Sequence, residues 1–319
     1  MYLISFCNQD RPHRRFALAA FERPGDPLAW IRIGAGRRDF GATGMICHDG
    51  FVFVIVQSKQ LPRLVALDTR HWTLVASSPL SQVRDPHSLA LRDGHLFVAS
   101  TGDNAVYELL LDGPRLASER LHWRYPETSD DEDDVHLNSL TFVGDELLVS
   151  ACGPRDPEGR WSSDGRVLNV DAAAVLAEGV NQPHSLLHSP GFLMFCESRT
   201  GRLHVACEPE KKIAFGAYGV AGYTRGLAHT GDGVLIGVSG SRATSRSTGK
   251  ALDVSLDTTS CGLWKLAFTA GKTTCLIDLS GSGNEIYDLL AIDAPMPAFD
   301  RAPVRNALAE TLRGLLYRG

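Results

Sequence analysis

Nowhere does the 319-residue sequence run for about eighteen consecutive apolar residues, so a membrane-spanning helix is excluded. An excess of positive charge is also missing. Thirty-two Lys and Arg stand against 37 Asp and Glu, and the net charge of −5 gives nucleic acid no general attraction. Met1–Asn8 carries no basic leader and only a short apolar stretch, so it reads as a strand rather than a secretion signal. Paired CxxC spacings are absent and the seven Cys are odd in number, which suits a reducing compartment better than a disulfide framework; a cytoplasmic protein is expected. Cys47, Cys196, Cys207 and Cys275 fall in apolar strand patterns and read as small buried hydrophobes. Helical periodicity is nearly absent before Asp300, which removes a helix bundle.

What the chain does contain is a repeat. Asp85-Pro86-His87-Ser88-Leu89 returns as Gln182-Pro183-His184-Ser185-Leu186, with looser copies at His136-Leu137-Asn138-Ser139-Leu140 and Tyr223-Thr224-Arg225-Gly226-Leu227. Each copy is followed by a Gly- or Asp-containing turn and a short apolar strand, the signature of hairpins and meanders. Thr43, His87, Asn138, His184, Arg225 and Tyr287 align at one position, at a mean interval of roughly 49 residues, the period of four-stranded propeller blades. Five complete units, an N-terminal unit without its first strand and a lone C-terminal first strand add up to six. The expected fold is therefore an all-β, six-bladed β-propeller closed by pairing of the C-terminal strand with the N-terminal strands, with seven blades as the alternative. Residues 1–293 form the propeller domain in this reading, and 294–319 an extension. Within it Pro303, Val304, Leu308, Leu312, Leu315 and Leu316 line one face of a helix over Ala302–Tyr317, which plugs or flanks the propeller or else mediates a homo-oligomer.

First strands line a propeller's channel, so the aligned residues form a ring at one mouth. Residues two earlier share their face: Asp85, His136, Gln182, Tyr223 and Glu285. Glu197, at the end of a second strand, is expected close by. Three chemistries fit these residue types. His87, His184 and Glu197 suit a divalent Zn, Fe or Mn ion with open positions for substrate, His136, Tyr287 and Glu285 then being the catalytic groups. A metal-free reading makes His87 and His184 an acid–base pair. A third leaves the imidazoles structural. Arg225, Asn138, Arg242 in the basic, hydroxyl-rich Ser241–Lys250 loop, and Trp161 on an inserted loop are the expected binding residues for a small anionic substrate. A metal-dependent hydrolase or lyase is favoured over an oxidoreductase, against a non-catalytic binding propeller. The acidic run Ser129–Asp134 reads as a solvated loop, lacking the spacing of a calcium loop.

His136-Leu137-Asn138-Ser139-Leu140, Pro183-His184-Ser185, Thr224-Arg225-Gly226-Leu227 and Glu285-Ile286-Tyr287-Asp288 occur in the order found in a bacterial propeller family known only as a domain of unknown function, and over roughly residues 80–292 the chain resembles it. The resemblance implies a propeller and these site positions, and no reaction. In architecture alone the chain is also similar to six-bladed gluconolactonase-like hydrolases, whose channels bind calcium through carboxylates and asparagines. Here His87, His184 and Arg225 stand where oxygen ligands are wanted, which argues against that chemistry.

Overall fold

The computed structural model describes residues 1–8, 17–23, 25–33, 39–157, 159–161, 163–189, 191–207, 216–220, 222–240, 261–279 and 285–297. The expected helix Ala302–Tyr317 and Arg242 lie outside them. The described strands, in chain order, are β1 (Tyr2–Phe6), β2 (Leu18–Phe21) and β3 (Ala29–Ile31), followed by β4 (Asp39–His48), β5 (Phe51–Ser58), β6 (Arg63–Asp68) and β7 (Leu74–Pro79). Next come β8 (Pro86–Arg92), β9 (His95–Ser100), β10 (Ala105–Asp112) and β11 (Arg115–Arg124), then β12 (Leu137–Val143), β13 (Glu146–Ala151), β14 (Gly165–Asn169) and β15 (Ala174–Val180). The chain continues through β16 (Pro183–Ser189), β17 (Phe192–Glu197), β18 (Arg202–Cys207) and β19 (Gly216–Gly219), then β20 (Tyr223–Thr230), β21 (Gly233–Ser239), β22 (Gly262–Ala267), β23 (Lys272–Asp278) and finally β24 (Ile286–Ala291).

These strands make six four-stranded antiparallel sheets, so the propeller has six blades and not seven. Five sheets are plain meanders. The sixth runs β24-β1-β2-β3, with Leu290 opposite Leu3 and Ala291 opposite Tyr2, so the last strand closes the ring on the first. Between blades the sheets pack face to face through clusters of aliphatic and aromatic residues, such as Phe53, Leu64, Leu96 and Tyr107 between the second and third sheets of the chain. Cys196 is fully buried as expected, whereas Cys275 is exposed. It sits on β23, the outermost strand of its blade, where alternate residues face away from the core.

Every first strand carries a register irregularity at or beside the aligned ring position: between Ala42 and Met45, Pro86 and Leu89, Leu137 and Ser139, His184 and Leu187, Arg225 and Leu227, and opposite Tyr287 in the closing sheet. Bulges re-aim side chains and end pairing, and here they turn one residue per blade out of the ladder. The backbone exposed by this bend is answered by the neighbouring blade. Ser88 Oγ accepts Leu140 N–H, Ser139 Oγ accepts Leu186 N–H, Ser185 Oγ accepts Gly226 N–H, and Asp288 Oδ2 accepts Met45 N–H. In the remaining two blades this clasp residue is Gly44 or Gly226. A Cβ on Gly44 would lie 2.8 Å from Leu89 N, and one on Gly226, already at φ +71°, would lie 2.9 Å from Leu289 N. Where no side chain bridges, backbone packs directly against backbone.

A second set of hydroxyls spans all six junctions by donating to a first-strand carbonyl: Ser5 to Thr43, Thr43 to Pro86, Thr101 to Leu137, Ser150 to Pro183, Ser198 to Thr224 and Ser239 to Ile286, at 2.5–3.3 Å. These hydroxyls act as inter-blade stitches, each closing a buried hydrogen bond that would be costly to leave open.

Candidate functional site

The Pro-His-Ser motif has a local physical cause. Asp85 and Gln182 adopt left-handed backbone, at φ +46° and +53°, and this turns their carbonyls onto the imidazole two residues later. His87 Nδ1 lies 2.7 Å from Asp85 O, and His184 Nδ1 lies 2.9 Å from Gln182 O. A carbonyl only accepts, so both rings carry their proton on Nδ1 and keep Nε2 as an acceptor. Burial is the main reason both imidazoles are held below their ordinary pKa, His184 far below it with Arg225 adding to the effect, so both are neutral bases at physiological pH.

His136 has left-handed backbone as well, at φ +50°, but a different partner. Its Nδ1 is 2.9 Å from Asp133 Oδ2, and Asp133 also accepts the His136 N–H and faces Arg155 at 3.5 Å. Burial opposes ionisation of Asp133, but His136 and Arg155 outweigh it and hold the carboxyl below its usual range. A carboxylate on Nδ1 fixes the tautomer and leaves Nε2 as an acceptor, the arrangement a general base needs. The His136 ring stands 5.1 Å from that of His87 and 4.8 Å from that of Trp161, which Arg155 covers at 4.2 Å. An Arg155–Trp161 bridge folds the inserted loop back on itself, so Trp161 does reach the ring. The acidic loop exposes Asp130, Asp131 and Glu132 to solvent as expected, while its two ends are tied down. Asn104 donates to Ser129 O and Glu132 O and accepts from Asp134 N and Val135 N, which presents Asp133 to His136.

On the opposite side Arg225, only 8% exposed, lies over Tyr223 and Tyr287 at 4.8 and 5.3 Å and faces Glu285 Oε2 at 3.4 Å. Cys7 Sγ and Asn8 Nδ2 donate to the same Glu285 oxygen. Tyr287 also stands edge-on to His87, with ring centres 5.5 Å apart. The structure therefore brings His87, His136, Tyr287, Arg225, Glu285 and Trp161 into one chain of contacts, joined by His184 through Tyr223.

Glu197 goes elsewhere. Its Oε2 lies 2.7 Å from His204 Nε2 on β18, and its Oε1 accepts from Asn181, so it braces its own blade instead of joining His87 and His184. Among the described residues no group of three or more His, Cys, Asp and Glu is disposed to hold a metal ion.

Four buried polar atoms at the ring have no hydrogen-bond partner among the described residues: Asn138 Nδ2, Arg225 Nε, His184 Nε2 and Tyr287 Oη. Buried polar groups are normally satisfied, so a cluster of exceptions marks a place built for something else to complete. Two of these atoms donate only, one accepts, and the Tyr hydroxyl does both. Sequence reasoning placed all four residues. It missed Asp133, Arg155 and Cys7, although an acidic residue three positions before a His is a visible signal for the first of them.

Asp288 brings a pH dependence to the clasp ring. Burial pushes its carboxyl from 3.8 up to about 7, against the lowering effect of the Met45 and Leu289 N–H groups it accepts. A raised carboxyl pKa makes stability fall as pH rises from about 4 to about 7, the cost being complete above that. Three other blades carry Ser here, so Asp288→Ser keeps an acceptor for Met45 N–H and removes the charge. Because Asp288 keeps some contact with solvent, the full linkage value is discounted, and the variant should gain about 2 kcal/mol over the wild type on going from about pH 5 to about pH 8. Urea unfolding at both pH values measures this. The neutral His87 and His184 have the opposite effect, losing stability as pH falls below 6.5, but they are common to both proteins and cancel.

Solved structures confirm the architecture. A chain of the nidogen/laminin complex is 11% identical, with 90% of this chain and 96% of that chain covered at a TM-score of 0.61. A protein from Lactobacillus plantarum is also 11% identical, with 92% and 99% covered at a TM-score of 0.52. Likeness at this identity concerns the fold alone. No curated protein matches the sequence. The model of one family does match, over residues 83–298, the span that carries His87, His136, His184, Arg225 and Tyr287, and the chain belongs to that family, the domain of unknown function DUF4915.

Proposed function

We propose that the ring at the channel mouth binds an uncharged, hydroxyl-rich small molecule, a sugar or another polyol, and that His136 is the general base, taking a proton from an attacking water in a hydrolysis or from a substrate carbon in an elimination that expels the neighbouring hydroxyl as water. The observation that carries this reading is the Asp133–His136 pair, 2.9 Å apart, set against His87 and Trp161 beside four unsatisfied polar atoms. An anionic substrate fits this charge balance less well, because Glu285 already answers Arg225 and both ring histidines are neutral. A polyol both donates and accepts, so it can complete His184 Nε2 as well as Asn138 Nδ2 and Arg225 Nε, while Trp161 offers its apolar face a stacking surface. A divalent metal remains a second reading only through the two free imidazole acceptors of His87 and His184, with substrate and solvent filling the other positions.

The test is a calorimetric binding panel of glycerol, erythritol, xylitol and monosaccharides against succinate, malonate and inorganic phosphate at constant ionic strength. Polyols should bind, and Asn138→Ala and His184→Phe should each weaken them by about tenfold, the loss of one good buried hydrogen bond. His136→Gln should retain binding but abolish any turnover of the bound compound. Preferential binding of the anions overturns the substrate class, and turnover that survives His136→Gln overturns the base.

A further inference from the structure

Below the ring the described residues leave the channel unfilled. A cavity of about 250 Å3 runs along the axis, bounded by first strands of all six blades. One end is polar, formed by His87, Asn138, Tyr287 and Asp288, while the wall beyond is aliphatic and aromatic, with Leu89, Leu140, Phe142, Leu187, Leu227 and Leu290. Two of the unsatisfied buried atoms, Asn138 Nδ2 and Tyr287 Oη, belong to residues lining this polar end. Leu187, Phe142 and Leu290 at the other end are partly exposed, which places the opening at the mouth opposite the His136 dyad.

We infer that this cavity is a second binding site, for a short-chain aliphatic molecule with one uncharged oxygen-bearing head, such as a primary alcohol, aldehyde or amide. The polar end requires an acceptor for Asn138 Nδ2 and a partner for the Tyr287 hydroxyl, and one carbonyl or hydroxyl oxygen supplies both. It also dictates the charge. No Lys or Arg lines the cavity, so a carboxylate head is desolvated with no compensating charge, whereas an ammonium head leaves Asn138 Nδ2 without an acceptor. The volume sets the length: 250 Å3 equals about eight water volumes, so a head plus roughly six to eight carbons fills it. The site goes beyond the polyol reading of the mouth and shares only the ring residues with it.

Calorimetric titration of the full chain with straight-chain primary amides and alcohols of increasing length tests the inference. Affinity should rise about fourfold per methylene, the fold-change expected for burying a CH2 group, and stop rising at about eight carbons. Hexanamide should bind at least about tenfold tighter than hexanoate or hexylammonium. Thr141→Trp and Leu187→Trp each place a large ring in the partly exposed part of the wall, and whichever retains the wild-type circular dichroism should abolish binding. Trp161→Ala, which alters only the other mouth, should leave it unchanged, so failure here is distinguishable from failure of the polyol reading. Affinity that keeps rising past about ten carbons, equal binding of charged heads, or indifference to both Trp variants overturns the inference.

Discussion

A chain ending at Asn284 should show no cooperative unfolding transition at all. The truncation removes only the last described segment, but that segment is β24, the first strand of the sixth blade and the partner of β1. Ile286 and Leu289 are buried at 0% and 4% exposure against Ile4, Phe6, Leu235 and Leu263, and Ile292 packs with Leu3 and Ala29. With Tyr287, four large side chains are lost, each worth about 1.5–3 kcal/mol of burial. That sum is comparable to the entire stability of an ordinary domain, about 5–15 kcal/mol. Two further losses compound it. β1 becomes an open edge able to recruit other chains, and Ser239 and Arg225 lose Ile286 O and Glu285 as partners. Scanning calorimetry and gel filtration measure the outcome, aggregation without a heat-absorption peak. A sharp transition near that of the full chain would show that five blades and an open sixth suffice, and the closure argument would be wrong.

The closure was legible in the sequence because it is a matter of counting: five repeats, one incomplete set of strands at the start and one spare strand at the end. The aligned ring was legible for the same reason, and His87, Asn138, His184, Arg225 and Tyr287 do stand at or beside equivalent bulges. What a repeat cannot convey is the direction in which a side chain leaves the ladder. Glu197 ends its strand one blade position from Arg225 in any alignment, yet it turns outward to His204, whose ring stacks on Phe195. The acidic run looked like surplus surface charge because its organiser, Asn104, lies about 25–30 residues away in sequence and in the neighbouring blade. Repeats transmit architecture, since every blade must solve the same packing problem. Chemistry enters where one blade departs from its neighbours, as Asp133 and Arg155 do around His136.

Breaking the Arg225–Glu285 pair should cost about 3–5 kcal/mol, the range for leaving one member of a buried ion pair uncompensated. Both groups are nearly inaccessible, at 8% and 4% exposure, and Arg225 is sandwiched between Tyr223 and Tyr287, where water cannot replace the lost carboxylate. Glu285→Gln keeps the shape and the acceptor for Asn8 Nδ2 but removes the charge, so it should carry the full loss. Arg225→Met leaves the Glu285 carboxylate buried without its cation and should also destabilise. The double variant should recover at least about half of the Glu285→Gln loss, since two neutral groups of similar size replace two charges. Urea titration of the four proteins completes the cycle. A coupling near zero would mean that the guanidinium is held by the two aromatic faces alone. Arg225 would then be free to meet an anion, and the case for an uncharged substrate at this mouth would lose its electrostatic basis.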